Sequence, residues 1–581
     1  MQQAVFLVFP FNAGHNAVMK RRQVGGITIA AVLVAGIWTG LNSSKPMHID
    51  DPLFIYWART IAPLPGEKPV EFVNWEYFHE PLMNQVHPWA PGWSLLLAGV
   101  RNLMGRDSVP VYHLLQWPFA AMFLAGTAML APVFSVSPWL VLALCATSPI
   151  FLVSSSGVMA DMAGAGPVML GFAIWLGCRS LGWRIMAGLL IVLGGQMKQT
   201  MLPLLPMLFL VPGGGFLRGW RNMAVAIAAC LLAGAYPPLP PAGSTEGSLW
   251  NQVALILNWS FERGGLYAPK AAFGFSVLSA LVVFPSAFLF IFFAGRERRP
   301  SFAAAKVLIA TIILVLALGN TAIWKGYHFG RGFVAPVPFG LTAVWFVAAF
   351  AVFMLWLIGR IWWGGLAGKP WRWLLAWLAL VWVASVVGTP FPAVRFLVFA
   401  VPAIAILVAD SFQRFLSPGT ARLAVIMTLI GNIWLGVGLA KSDYAFASFN
   451  CESAFIGAKE AERLRLPLWT TGQWGLRWYV EQAGGSVLGE ESEKLPRGAV
   501  MMAPRITDHR MLPPALGKRV IRRTVRESPP PTGAWLLFAP ARTLGPAGSS
   551  AGYHGGHVWI PYVFSMDPVE INETLVISPL K

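Results

Sequence analysis

Read only for hydrophobic and polar positions, the chain is a series of long apolar runs separated by short polar breaks, followed by a tail in which the runs shorten. Crossing a bilayer takes about 20 apolar residues in a helix, and the first run, Val24–Leu41, comes close to that. Further spans are predicted at Tyr112–Val133, Pro138–Val153, Met162–Cys178, Ile185–Gln196, Thr200–Val211 and Asn222–Tyr236. More follow at Ala271–Ala294, Ala303–Leu318, Phe333–Ile358, Trp373–Val387, Phe396–Val408 and Ala421–Leu439. Between the first two lies a long loop from Asn42 to about Val86, with an aromatic stretch, Phe72–Glu80, that suits short helices on the membrane surface.

Charge then orients the pattern. Lys20-Arg21-Arg22 precede the first run, and Arg179/Arg184, Arg218/Arg221, Arg296–Arg299, Arg360/Lys369/Arg372 and Arg414/Arg422 fall on alternate loops. Cytoplasmic loops carry such an excess, so the N-terminus is expected inside the cell. The alternation holds if Trp89–Met104 lies on the surface or is re-entrant, giving about thirteen spans and an external C-terminus. Asp50, Asp51, His87, Asp161, Lys325–Arg331 and Arg395 then share the outer face.

After Lys441 glycine, proline and charge increase. Strands are predicted at Ala499–Ala503, Arg519–Thr524, Ala534–Phe538 and Thr574–Ile577, and a helix at Gly475–Gln482 closed by Gly484-Gly485. The expected architecture is an α-helical polytopic membrane protein with a small C-terminal extramembrane α/β domain. Residues 1–440 form the membrane part, including an outer loop over 42–108, and residues 441–581 form the outer domain.

Composition agrees. The 581 residues are 56% hydrophobic and 12% charged, which excludes an ordinary soluble enzyme. The net charge of +18 gathers in the loop clusters and so points to membrane topology and anionic lipid, not nucleic acid. The 27 tryptophans suit interfacial belts. Four cysteines, three of them inside apolar runs, show neither metal spacing nor a disulfide framework.

The candidate chemistry sits at the edges of the runs. In His48-Ile49-Asp50-Asp51-Pro52 two adjacent carboxylates follow the first span, and ionised carboxylates demand water or a partner. The same residues also read as an ordinary helix start. Asp161 lies in the polar break Ser154–Asp161 and reads either as a second acid facing the first across the same pocket or as a helix cap. Lys198, in Gly194-Gly195-Gln196-Met197-Lys198-Gln199, either snorkels to the interface or binds an anion. Arg395 has the same two readings, with the guanidinium fork favoured for phosphate. Lys325, His328 and Arg331 form a further basic loop that either binds the donor phosphate or anchors the chain at the interface, and Tyr56 and His87 are assigned to the substrate pocket. Paired acids could bind a divalent cation, but two carboxylates and a histidine do not define a metal site.

In order along the chain, Asp50-Asp51-Pro52-Leu53-Phe54-Ile55-Tyr56-Trp57-Ala58-Arg59, His87-Pro88-Trp89-Ala90-Pro91, Val158-Met159-Ala160-Asp161, Met197-Lys198 and Arg395-Phe396 resemble the GT-C glycosyltransferases. More narrowly they resemble the branch with protein O-mannosyltransferases and lipid A aminoarabinose transferases, over roughly residues 25–440. The resemblance implies transfer of a sugar from a polyprenyl-phosphate carrier to a lipid, glycan or protein acceptor on the outer face of a bacterial-type inner membrane. It implies Asp50 as the catalytic carboxylate of the first loop. Asp51 stands where the family commonly has Glu, His87 where the aminoarabinose branch has Lys, and Pro88-Trp89 where Pro-Pro is common. The segment Gly472–Tyr479 looks like an element of the outer-side tails of bacterial relatives.

The chemistry is consistent with that reading. A carboxylate can deprotonate an acceptor hydroxyl, and Lys198 and Arg395 can stabilise the departing phosphate, with inversion at the anomeric carbon. The alternative is a secondary transporter or lipid flippase, which Lys198 would favour if Ile185–Val211 were one continuous span.

Overall fold

The computed structural model describes residues 21–67, 72–75, 78–81, 90–212, 215–216, 219–235, 267–288, 291, 337–362, 369–389, 393–472, 474–488, 498–505, 514–528, 540–541, 563–564 and 570–578. The chain is mostly helical, with a small mixed sheet near its C-terminus. Among the described residues five helices are long and apolar enough to cross a membrane, and five shorter apolar helices accompany them.

The first span is α1, Arg21–Leu41. Ile29, Leu33, Ile37 and Leu41 form an exposed stripe on it at intervals of four, the pattern of a helix turning one face to lipid. The loop after it contains α2, Asp51–Ile61, buried along nearly its whole length. The aromatic stretch expected as surface helices forms an antiparallel hairpin instead, β1 (Phe72–Trp75) with β2 (Phe78–Pro81). Val73, Trp75 and Phe78 favour a pleated strand over a helix.

Next come α3 (Gly92–Met104), α4 (Val109–Leu114) and α5 (Gln116–Leu130). The run Pro138–Val153 is broken into α6 (Pro138–Thr147) and α7 (Pro149–Ser154), because Pro149 forces Ser148 into an extended conformation. Then follow α8 (Ala160–Gly177) and α9 (Leu181–Met197). Ala163, Gly164, Ala165, Gly166 and Gly171 keep α8 slim, so that α5 and α9 pack closely on it. The predicted span Thr200–Val211 is a 3₁₀ helix, Gln199–Phe209, containing Pro203 and Pro206, which cannot donate backbone hydrogen bonds. It leads through the short pair β3 (Leu210–Val211) and β4 (Gly215–Phe216) into α10, Trp220–Ala233.

The second half supplies α11 (Tyr267–Ala280), α12 (Val337–Trp362), α13 (Lys369–Val387) and α14 (Ala400–Phe415). Helix α15, Pro418–Leu464, has 47 residues. At 1.5 Å per residue it is roughly 70 Å long, more than twice the hydrocarbon thickness of a bilayer. Its first half exposes Leu423, Ile426, Ile430 and Ile433, whereas its second half carries Asp443, Asn450 and Ser453 buried against other elements. The boundary expected at 440/441 falls within this helix.

The sheet has the order β6-β5-β7-β11-β8. Its strands are β5 (Leu468–Thr470), β6 (Ser486–Val487), β7 (Ala499–Pro504), β8 (Val520–Glu527) and β11 (Ile571–Ile577), while β9 (Pro540–Ala541) and β10 (Val563–Phe564) pair separately. The strands β5, β6 and β7 run parallel, and β11 is antiparallel to both its neighbours. Helix α16, Trp474–Gln482, joins β5 to β6. The apolar core beneath α16 includes Met47, Leu53, Ile55, Trp93 and Leu97 together with Trp474, Trp478, Val480 and Met502. First loop and tail thus bury one another. The predicted span Ala303–Leu318 and strand Ala534–Phe538 lie outside the described residues.

Candidate functional site

The site assembles where α2, α8, α9 and the turn Val394–Leu397 converge. Asp50 stands at the N-cap position of α2 without a side-chain capping hydrogen bond, with Asp51 and Pro52 in the first turn. Just before it, Ile49 adopts φ 45°, a left-handed conformation that a β-branched residue strongly disfavours. Asp51 locks this turn: its Oδ2 accepts from the His48 backbone N–H at 3.1 Å, and its own N–H donates to the His48 carbonyl at 2.9 Å. Its Oδ1 accepts from the Val158 N–H at 2.9 Å, which ties α2 to the segment leading into α8. That segment is fixed further by Trp93, donating to the Val158 carbonyl at 2.6 Å, and by Gln116, donating to the Met159 carbonyl at 2.7 Å.

Asp50 faces Arg395, whose Nη2 donates to Oδ2 at 2.7 Å, while Nη1 lies 2.9 Å from the Met159 sulfur. Asp161, in the first turn of α8, meets Lys198 Nζ at 3.5 Å. Lys198 occupies the break between α9 and the 3₁₀ helix, so Ile185–Val211 is not one continuous span. Gly164 makes room for it: a Cβ there would lie 2.6 Å from Lys198 Cβ. Lys198 also lies 6.0 Å from the Phe54 ring centroid and within electrostatic reach of Arg395 and Asp50. The two pairs belong to one cluster.

Two members of that cluster escaped the sequence reading. Lys45, 1% exposed, pairs at 3.6 Å with Asp443 on α15, itself fully buried. Lys45 lies in the loop after the first span and Asp443 just beyond the change in composition at Lys441, and neither stands out there by pattern. Only the uninterrupted course of α15 carries Asp443 to the site. A small cavity, about one water molecule in size, lies among Lys45, His48, Asp51, Met159, Asp161 and Arg395. Burial pushes the Asp51 carboxyl up to about 7, outweighing the nearby Lys45 and the two backbone N–H groups that favour its charged form.

The other expected site residues fall elsewhere. Tyr56 does not line the cavity; its hydroxyl donates to Glu481 of α16, and its ring lies 5.3 Å from that of Trp478. It projects from the opposite side of α2, towards the tail. His87, Lys325, His328 and Arg331 lie outside the described residues. Among the described residues no group of three or more His, Cys, Asp or Glu converges as a metal site would require. At its far end α2 is anchored by Arg59, which donates to Asp107 at 2.8 Å; Asp107 also accepts from Arg101 at 2.9 Å and from the Tyr112 hydroxyl at 2.7 Å.

The arrangement can hold a small anion between Arg395 and Lys198 by exchanging their carboxylate partners for it. The exchange would leave the carboxylates of Asp50 and Asp161 released from their cations beside the bound anion.

No protein-family model matches the chain, and no curated protein matches it. Solved structures similar to it include the apo oligosaccharyltransferase of Archaeoglobus fulgidus, at 13% identity and a TM-score of 0.44, covering 81% of this chain and 65% of that one. ArnT from Cupriavidus metallidurans bound to undecaprenyl phosphate is similar at 12% identity and a TM-score of 0.41, covering 82% of this chain and 93% of that one. The Archaeoglobus enzyme in complex with zinc and sulfate follows at 14% identity and a TM-score of 0.36, covering 80% and 62%. This chain thus spans less than two thirds of the oligosaccharyltransferase's length. Both proteins are GT-C fold glycosyltransferases, and the likeness to them is distant.

Proposed function

We propose that this protein is a membrane glycosyltransferase that takes its sugar from a polyprenyl-phosphate carrier and passes it to a hydroxyl acceptor at the outer face. The observation that carries the reading is the Asp50–Arg395 pair at 2.7 Å beside Lys198–Asp161, buried at the ends of membrane helices. A lipid phosphate arriving from the bilayer brings a charge for Arg395 and Lys198, and its apolar tail stays among the helices. The resemblance of the ordered sequence motifs points the same way.

In this reading the phosphate takes Arg395 from Asp50, and the freed carboxylate becomes the base. The acceptor oxygen attacks the anomeric carbon as its proton passes to Asp50. The bond from that carbon to the phosphate oxygen breaks, and its electron pair leaves with the lipid phosphate, held by Arg395 and Lys198. Attack opposite the leaving group inverts the anomeric centre. Asp51 has a different part, because both its oxygens already accept backbone N–H groups. It shapes the turn that presents Asp50.

The test is transfer by the purified, reconstituted protein. Radiolabelled polyprenyl-phosphate sugars should lose label to an acceptor in a membrane extract. Movement of the intact labelled lipid across the bilayer without sugar transfer would identify a flippase instead.

A further inference from the structure

We propose that helix α16 of the tail positions the catalytic turn: by gripping Met47 it holds Met47–Asp50 in the conformation that brings Asp50 to Arg395. The proposal rests on the glycosyl-transfer reading given above, and extends it to a helix with no group of its own among the paired charges.

Two contacts make the grip. The Met47 backbone N–H donates to the Tyr479 hydroxyl at 2.8 Å, joining residues 432 positions apart in sequence. Gly475, in the first turn of α16, sits against the backbone of the same residue; a Cβ there would lie 2.5 Å from the Met47 carbonyl oxygen. Only a residue without a side chain lets the helix approach so closely.

The strain lies on both sides of this contact. Ile49 has φ 45° and Trp474 has φ 60°, and both are buried. Residues held in such conformations persist only where their surroundings over-determine them. Asp51 restrains the turn from the α8 side, and α16 restrains it from the tail side.

Helix α16 is itself fastened along α2. Tyr56 donates to Glu481, the Arg477 guanidinium stands 5.7 Å over the Tyr56 ring, and the Arg59 guanidinium stands 4.6 Å over the Trp478 ring. A shift of α16 would release Met47 and let Ile49 relax to a negative φ. Asp50 would then turn away from Arg395, while Arg395 and Lys198 kept their places.

The test uses the full-length protein in lipid nanodiscs, with Tyr479→Phe and Gly475→Ala. Tyr479→Phe removes the acceptor of the Met47 N–H, together with the hydroxyl's contact with Cys451, and keeps the ring. Hydrogen exchange of the peptide covering residues 47–51 should quicken about tenfold in both variants, as when one hydrogen bond is lost. The kcat for sugar transfer should fall roughly ten- to a hundredfold, since small misplacements of a reacting group cost that much. The KM for the polyprenyl-phosphate donor should stay within about twofold of wild type. A merely structural role would instead lower the melting temperature without separating kcat from KM, and that result would overturn the proposal. Unchanged exchange at 47–51 in a folded Tyr479→Phe protein would also overturn it. If the wild type transferred no sugar, the functional reading would fall and the catalytic half of this proposal with it; the exchange result would still decide whether α16 holds the turn.

Discussion

At the level of single residues, the cluster pairs three cations, Lys45, Lys198 and Arg395, with Asp443, Asp161 and Asp50, and leaves Asp51 to backbone donors. Such pairs were half legible in the sequence. Charged residues at the ends of apolar runs stand out because burying a charge is costly unless it is paired. Which cation meets which acid is not written in the sequence, because Lys45 and Asp443, and Arg395 and Asp50, are hundreds of positions apart. If Arg395 holds the donor phosphate, Arg395→Ala should raise the donor Kd at least about tenfold, the scale of a lost charge-assisted contact, as read by titration with polyprenyl phosphate. Unchanged affinity would move the phosphate elsewhere. Asp51 gives a pH signature. Its carboxyl rises from a usual value of 3.8 to about 7 on folding, so the folded state binds its proton more tightly. Its contribution to stability is therefore full below the usual value and is lost as pH rises through about 7. The melting temperature of the wild type relative to Asp51→Asn should fall between about pH 4 and about pH 7; a gap independent of pH would contradict this.

At the level of elements, α2 acts as a beam fixed at three places: to Val158 through Asp51, to α16 through Tyr56, and to Asp107 through Arg59. Leu53, Phe54, Tyr56 and Trp57 make α2 an aromatic helix of the kind that seeks a membrane interface, but its aromatic face turns towards the tail and α3. Periodicity reveals that a face is apolar without saying what covers it. It also misread Phe72–Glu80, where helix and strand both suit an aromatic-rich segment, and Thr200–Val211, where two prolines impose a 3₁₀ helix. The packing of α8 against Lys198 makes a direct prediction. Gly164→Ala places a Cβ 2.6 Å from Lys198 Cβ and 3.3 Å from the Gly194 carbonyl, so the lysine must move. Donor affinity should fall several-fold while Asp50→Asn costs the same factor in either background. Wild-type affinity in Gly164→Ala would show that Lys198 is not held by α8.

For the whole molecule, the tail and the first loop share one core, and α15 runs through both parts without interruption. The composition change after Lys441 was readable; the fact that the tail closes over α2 was not, since it depends on contacts between residues near 50 and near 480. A fragment beginning at Leu466 lacks Met47, Leu53, Ile55 and Trp93, and so should show no cooperative thermal unfolding when expressed alone; a sharp transition would mean that the sheet has a sufficient core of its own. The basic residues Lys20, Arg21 and Arg22, at and just before the start of α1, predict the sidedness. In a background without native cysteines, Ser44→Cys and Gln482→Cys should both react with an impermeant reagent in intact cells, and labelling only after lysis would reverse the orientation. The central claim is that Asp50 takes a proton from the acceptor once phosphate has displaced it from Arg395. The most direct measurement is single-turnover sugar transfer by Asp50→Asn, with donor binding measured on the same folded protein. The expected result is a rate about 10²–10⁴-fold below wild type, with donor affinity unchanged or higher because Arg395 no longer has a carboxylate to give up. Transfer at the wild-type rate would contradict the account and leave the Asp50–Arg395 pair as a structural bridge.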